Sequence, residues 1–255
     1  MGRFSSSLQI LRAIGLGKLV DSYAGSILEV DTDQPVFHIT FDDGPDPEVT
    51  PRVLDALDEY GARATFFVLV ERAARYSSLL REIIDRGHEV GLHGRTHVRL
   101  STAPWPVVHD EVIAAHEELE DLLQRKVSYF RPPFGAPGYR SIYACRKLKL
   151  TSVLWSVDTD DWKGLTPDQP LQGTTDRIAP GGISLVHDRP VGESMADEVA
   201  RGLISKDDLA RVLMEEVTRL GLRLVSLREL LEVGAPIKRV TVPGRHRYGM
   251  KAQGV

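Results

Sequence analysis

Asp42 and Asp43 stand side by side immediately before Gly44-Pro45. Adjacent carboxylates repel, so both stay ionised only where positive charge sits beside them. Glycine and proline together force a turn. Neighbouring strand residues point to opposite faces, and a turn at this place could aim both carboxylates into one site with different tasks. The second signal is His93-Gly94-Arg95-Thr96-His97. Two histidines four apart can lie on one face of a helical turn and share a metal ion. Asp43 would supply a third ligand. A two-histidine, one-carboxylate set leaves coordination positions open for water and substrate, which marks a catalytic centre rather than a structural one.

Three further stretches carry chemistry. In Arg131-Pro132-Pro133-Phe134-Gly135 the prolines and glycine restrict the backbone. Arg131 can hold a carboxylate with its planar fork, and a rigid loop can present a backbone N–H toward developing negative charge. Asp158-Thr159-Asp160-Asp161-Trp162 supplies a run of acids, and Leu185-Val186-His187 ends in a histidine. A histidine beside an orienting acid can serve as a general acid. Each stretch alone has a plain alternative, such as a helix cap, a surface histidine pair or an ordinary loop.

The elements that must position these residues alternate in type. Strands are expected over 36–41, 64–70, 88–92, 127–130, 150–157, 183–187 and 222–225. Helices are expected over 48–60, 79–86, 107–123, 139–147, 170–178, 206–220 and 227–231. This alternation argues an α/β fold with a parallel sheet. All five chemical signals follow different strands in order. A barrel gathers strand C-termini around one mouth, whereas an open sheet concentrates its ligands at one switch point. A (β/α)7-type barrel is therefore expected.

On these motifs, and above all Thr40-Phe41-Asp42-Asp43-Gly44, the sequence resembles the carbohydrate esterase family 4 polysaccharide deacetylases, or NodB homology domain, from about Val36 to Leu231. The resemblance implies the polysaccharide deacetylase-like (NodB homology) fold, a distorted (β/α)7-type barrel. It implies Asp43, His93 and His97 as ligands of one divalent metal ion, with zinc the default and cobalt, manganese or nickel as alternatives. It further implies Asp42 as catalytic base, Arg131 holding Asp42, and His187 as catalytic acid oriented by Asp161. Phe134 would contribute a backbone N–H to the oxyanion, and Trp162 and Leu185 would line the acyl and sugar pocket. The implied reaction is removal of N-acetyl groups from an amino-sugar saccharide. An O-acetyl esterase, a deformylase on a lipid-linked sugar intermediate, and an inactive saccharide-binding relative are the alternatives. Two positions depart from the family pattern: Gly94 stands where a Ser or Thr usually follows the first histidine, and Phe134 stands where Tyr is frequent.

The rest of the chain sets limits. It has 255 residues, 42% of them hydrophobic, a net charge of -4 and one cysteine, Cys145. Lys and Arg are dispersed, so no nucleic-acid partner is expected, and no intrachain disulfide can form. No apolar run reaches the roughly 20 residues of a transmembrane segment, nor is there an unbroken secretory signal. A cytoplasmic location is expected, with peripheral membrane contact through an N-terminal helix carrying Leu8, Leu11 and Ile14 as the alternative to packing on the body. Three regions are expected: a helical segment over 1–30, the catalytic domain over 31–233, and a flexible tail over 234–255. Trp105 and Trp155 read as packing residues, His38, His88, His109, His116 and His246 as structural or solvated, and the segment 189–204 as a cover for the site mouth.

Overall fold

The computed structural model describes residues 17–171 and 173–240. After a helix at Gly17–Ala24, the strands in chain order are β1 (Ser26–Asp31), β2 (Val36–Phe37), β3 (Ile39–Asp42), β4 (Ala64–Val68), β5 (Glu89–Leu92), β6 (Tyr129–Phe130), β7 (Thr151–Ser152), β8 (Val157–Asp158), β9 (Ser184–His187), β10 (Arg223–Leu224) and β11 (Ala235–Arg239). Seven of them form one sheet in the order β7-β6-β5-β4-β3-β9-β8, and every pairing in it is parallel. Helices follow most of these strands, as parallel crossovers require.

The barrel is distorted because its edge strands, β7 and β8, do not pair among the described residues. Instead β1 bridges to Val153, just past β7, and to Gly182, just before β9. Backbone hydrogen bonds from Leu154 to Ile27 (2.7 Å) and from Val30 to Gly181 (2.9 Å) hold it there.

The core lies between the sheet and its helices. Phe41 and Phe66 stack at 5.1 Å on adjacent strands. Helix Thr50–Glu59 turns Thr50, Val53, Leu54 and Leu57 inward, the three- and four-residue spacing of an amphipathic helix. Burial of such side chains contributes about 1.5–3 kcal/mol each.

The register sets the strand ends level. Asp42 pairs with His187 across β3–β9, and Leu92 pairs with Phe130 across β5–β6. The residues just beyond β5 and β6, His93 and Arg131, therefore emerge together.

Several expectations need correction. The single strand expected over 150–157 is two short strands. Its middle carbonyls are diverted, Val153 and Leu154 accepting from the Arg131 guanidinium at 3.2 and 2.8 Å. The helix expected over 170–178 is a single 3-10 turn at Thr175–Arg177, and Gly173 at φ 73 is not helical. The strand expected to reach Val70 stops at Val68, and Val70–Arg75 is helical. The tail expected from 234 begins instead as β11, which pairs antiparallel with β1, Ser26 with Arg239 and Asp31 with Ala235. The boundaries at 30/31 and 233/234 therefore fall in or beside one two-stranded unit. That pairing depends on a partner about 200 residues away, and no local pattern announces it. Leu8, Leu11, Ile14 and His246 lie outside the described residues. Among the described residues no helix is long and apolar enough to cross a membrane.

Candidate active site and metal centre

A cavity of 390 Å³ opens at the C-terminal ends of the strands. Asp42, Asp43, His93, His97 and His187 line it, joined by Phe134, Trp162 and Leu185. Arg131 and Asp161 stand behind this lining, each bonded to one of its members. The ten residues singled out in the sequence thus converge.

Asp43 Oδ1 lies 3.4 Å from Nε2 of His93 and 3.4 Å from Nε2 of His97. Bonds of about 2.0–2.1 Å to a tetrahedral centre put its ligand atoms roughly 3.3 Å apart, so these three residues fit one divalent ion. Asp43 Oδ1 is buried and accepts no hydrogen bond, as expected of an oxygen reserved for a cation. His93 Nδ1 lies 2.8 Å from the Arg131 carbonyl, which can only accept. The Nδ1 proton is thereby fixed, and the Nε2 lone pair faces the site. The Asp43 carboxyl is held well below the usual range. Burial opposes this, but the close contact with the His93 ring and the positive fields of His187, His93 and His97 outweigh it.

The two histidines do not share a helical turn. Residues 93–97 are irregular, and Gly94 at φ 97 and His97 at φ 70 fold the loop back so that the rings meet at 5.2 Å. Asp43 (φ 76), Phe134 (φ 61) and Asp160 (φ 57) share this left-handed conformation with His97. For a side-chain-bearing residue each such position costs about 1–3 kcal/mol, and four of them cluster here.

Asp42 Oδ1 accepts from Arg131 Nη1 at 2.7 Å. The guanidinium is fully buried and also bonds Thr40 Oγ1 and the Val153 and Leu154 carbonyls. Across the cavity His187 Nδ1 meets Asp161 Oδ1 at 2.8 Å, and the His187 backbone N–H donates to Asp161 Oδ2. Of the three nearby acids, Asp161 is therefore the one that orients His187. Asp158 instead accepts from Trp155 Nε1 and the Asp160 N–H, and Asp160 pairs with Lys163.

Other contributors carried no signal in the sequence. Lys206 is buried and donates to Asp161 Oδ2 at 2.6 Å from 45 positions away. Asp188 accepts from Thr50 Oγ1 at 2.6 Å and fills the space left by the missing side chain of Gly44. Burial pushes its carboxyl up to about 7. Trp155, read as a packing residue, is largely buried but also forms part of the cavity wall.

Glu111 braces the candidate metal loop at Gly94, where the family pattern has a Ser or Thr. It lies on the π-helical segment His109–Ala114, only 3% exposed. Its Oε2 accepts from the backbone N–H groups of Arg95 (2.8 Å) and Thr96 (3.1 Å), and its Oε1 accepts from Thr96 Oγ1. A Cβ on Gly94 would come within 2.9 Å of that Oε2, so the glycine makes room for the carboxylate. Outer partners of this kind are worth about 10- to 100-fold in metal affinity. Glu111→Ala should weaken zinc binding about tenfold. Glu111→Gln, which keeps an oxygen for the two N–H groups, should weaken it much less. Calorimetric titration checks both, and an alanine variant as tight as the parent would refute the bracing role.

Comparison with known proteins agrees with this geometry. The family model for polysaccharide deacetylase matches residues 29–153. A chitooligosaccharide deacetylase of Bradyrhizobium sp. is 37% identical over 168 residues, 64% of this chain and 77% of that one. A peptidoglycan-N-acetylglucosamine deacetylase of Bacillus cereus is 31% identical over 205 residues, 80% of this chain and 91% of that one. Among solved structures, the Bc1960 peptidoglycan N-acetylglucosamine deacetylase superposes with a TM-score of 0.75 at 27% identity, covering 86% of this chain and 98% of that one. With its parallel half-barrel sheet and with relatives matched over most of their own length, the chain belongs to the polysaccharide deacetylase family, the carbohydrate esterases of family 4.

Proposed function

We propose that the protein is a metal-dependent hydrolase that removes N-acetyl groups from an amino-sugar-containing saccharide and releases acetate. The observation that carries the proposal is the placement of Asp43 Oδ1 and two imidazole Nε2 atoms at mutual ligand spacing, with Asp42 and His187 on the same cavity. The names of the relatives supply the substrate class.

Asp43, His93 and His97 would hold the ion. Zinc suits two imidazoles and a carboxylate, and cobalt, manganese and nickel accept the same donors. When bound, such an ion polarises a carbonyl and lowers the pKa of water from about 16 toward roughly 7. Asp42, kept in place by Arg131, takes the proton of the attacking water. The backbone N–H of Phe134 faces the developing oxyanion, a contribution of roughly 3–4 kcal/mol for a preorganised donor. His187 delivers a proton to the departing nitrogen, because an amide nitrogen leaves poorly as an anion. Trp162 and Leu185 confine the acyl and sugar groups.

Removing metal with a chelator should abolish acetate release from N-acetylglucosamine oligomers, and one equivalent of zinc should restore it. Acetate release that survives with no metal detectable by elemental analysis would reject the proposal. An O-acetyl esterase or a deformylase would use the same residues, and assaying acetate and formate across ester and amide substrates separates the three. A saccharide-binding relative without chemistry would bind the oligomers yet release nothing with zinc restored.

A further inference from the structure

Most charges around the cavity are already answered. Asp42 is paired with Arg131, Asp160 with Lys163, and Lys206 with Asp161. Two guanidinium groups remain, Arg99 and Arg189, both on the cavity wall. Among the described residues neither has an acidic side chain within ion-pair distance nor an acceptor for its guanidinium. They are nevertheless placed. Arg99 Cζ lies 4.2 Å over the centroid of the Phe134 ring, and that ring lies 4.4 Å from the His97 ring. Arg189 follows His187 by two residues and lines the same cavity. Both cations therefore border the cavity that also holds His97 and His187.

Two half-buried arginines without counter-charge among the described residues are unexpected in a chain whose net charge is -4. Like charges lining one cavity repel each other, and the arrangement is relieved when an anion enters. The guanidinium fork matches carboxylate and phosphate oxygens two at a time. A neutral N-acetylated sugar offers no such group.

We propose that Arg99 and Arg189 form an anion subsite beside the candidate metal centre, and that the substrate is an N-acetylated amino sugar bearing a carboxylate or a phosphate. This rests on the deacetylase reading of the same cavity. Stacking on Phe134 holds the Arg99 fork in place, and Arg189 lines the same cavity, so the two cations can hold an anionic substituent while the acetamide reaches Asp42 and His187.

The experiment compares zinc-loaded protein on three substrates: a neutral N-acetylglucosamine oligomer, an oligomer whose sugars carry a lactyl-ether carboxylate, and N-acetylglucosamine 1-phosphate. Each is assayed with the parent, Arg99→Gln, Arg189→Gln and the double variant, after thermal melting confirms that all are folded. The parent should prefer one anionic substrate by about tenfold or more in kcat/KM, as charge-assisted hydrogen bonds imply. The double variant should lose most of that preference through a higher KM, and added salt should erode it in the parent. The carboxylate and phosphate arms identify the source of the anion. Equal kcat/KM on all three substrates, or a preference untouched in the double variant, overturns the subsite. If no substrate releases acetate, the deacetylase reading fails separately. Calorimetric binding of the same three sugars then decides the subsite: anion-selective binding lost in the double variant upholds it, and its absence overturns it.

Discussion

Asp42→Asn is expected to lower turnover by about 100- to 10,000-fold, the usual worth of a positioned general base, while the variant still binds added zinc as the parent does. The asparagine keeps the shape of the side chain and cannot take a proton from water. Zinc should remain because its candidate ligands are Asp43, His93 and His97, and Asp42 Oδ2 stands 3.7 Å from His93 Nε2. Stability should fall as well. Arg131 is fully buried and Asp42 is the only acid within ion-pair distance of it among the described residues. Removing one partner of a buried pair costs about 3–5 kcal/mol. The amide oxygen can still accept from Nη1, so the loss should lie below that range. Acetate release, elemental analysis and a thermal melt on one preparation test all three statements. Normal turnover with zinc bound would remove Asp42 from the role of base.

His187→Gln should separate substrates by their leaving groups. An amide nitrogen needs a proton as it departs and an aryl oxygen does not, so N-acetyl cleavage should fall by about 100-fold or more while cleavage of an activated aryl acetate falls far less. Equal losses on both would mean that His187 positions substrate rather than donating a proton. The pH profile is a second readout. Burial alone would lower the His187 pKa, but the charge of Asp161 and its hydrogen bond overcome this, Asp43 and Asp42 add to them, and the ring reaches about 9. The acid form exists below that value and is lost above it, so the N-acetyl rate should decline as pH rises through it. A cation on Asp43 weakens one of the fields that raise the pKa, which places the decline at or below about 9 in the zinc-loaded protein. Asp161→Asn removes the main source of the shift and should move the decline to lower pH.

His187 also shows where sequence reading ends. The histidine at the end of β9 was legible because a histidine that closes an apolar strand is a local pattern. That Asp161, rather than Asp158 or Asp160, meets it was carried only by the family resemblance until the geometry placed the bond. Lys206, which meets the other side of Asp161, had no signal at all, since a lysine opening a surface helix normally faces water. Glu111 is the same case. The departure at Gly94 was visible, but the carboxylate that braces this loop sits on the next helix.

The sequence by itself determined the residue types that can bind a cation and move protons. It also determined the alternation of strands and helices that carries them to one rim, because both are written in local spacing and periodicity. Only the tertiary structure decided which loops fold into left-handed turns, how β1 and β11 close the barrel's open side, and which buried charges answer one another. Those outcomes depend on contacts between residues tens to hundreds of positions apart, where backbone pairing and desolvation act through space and leave no local trace along the chain.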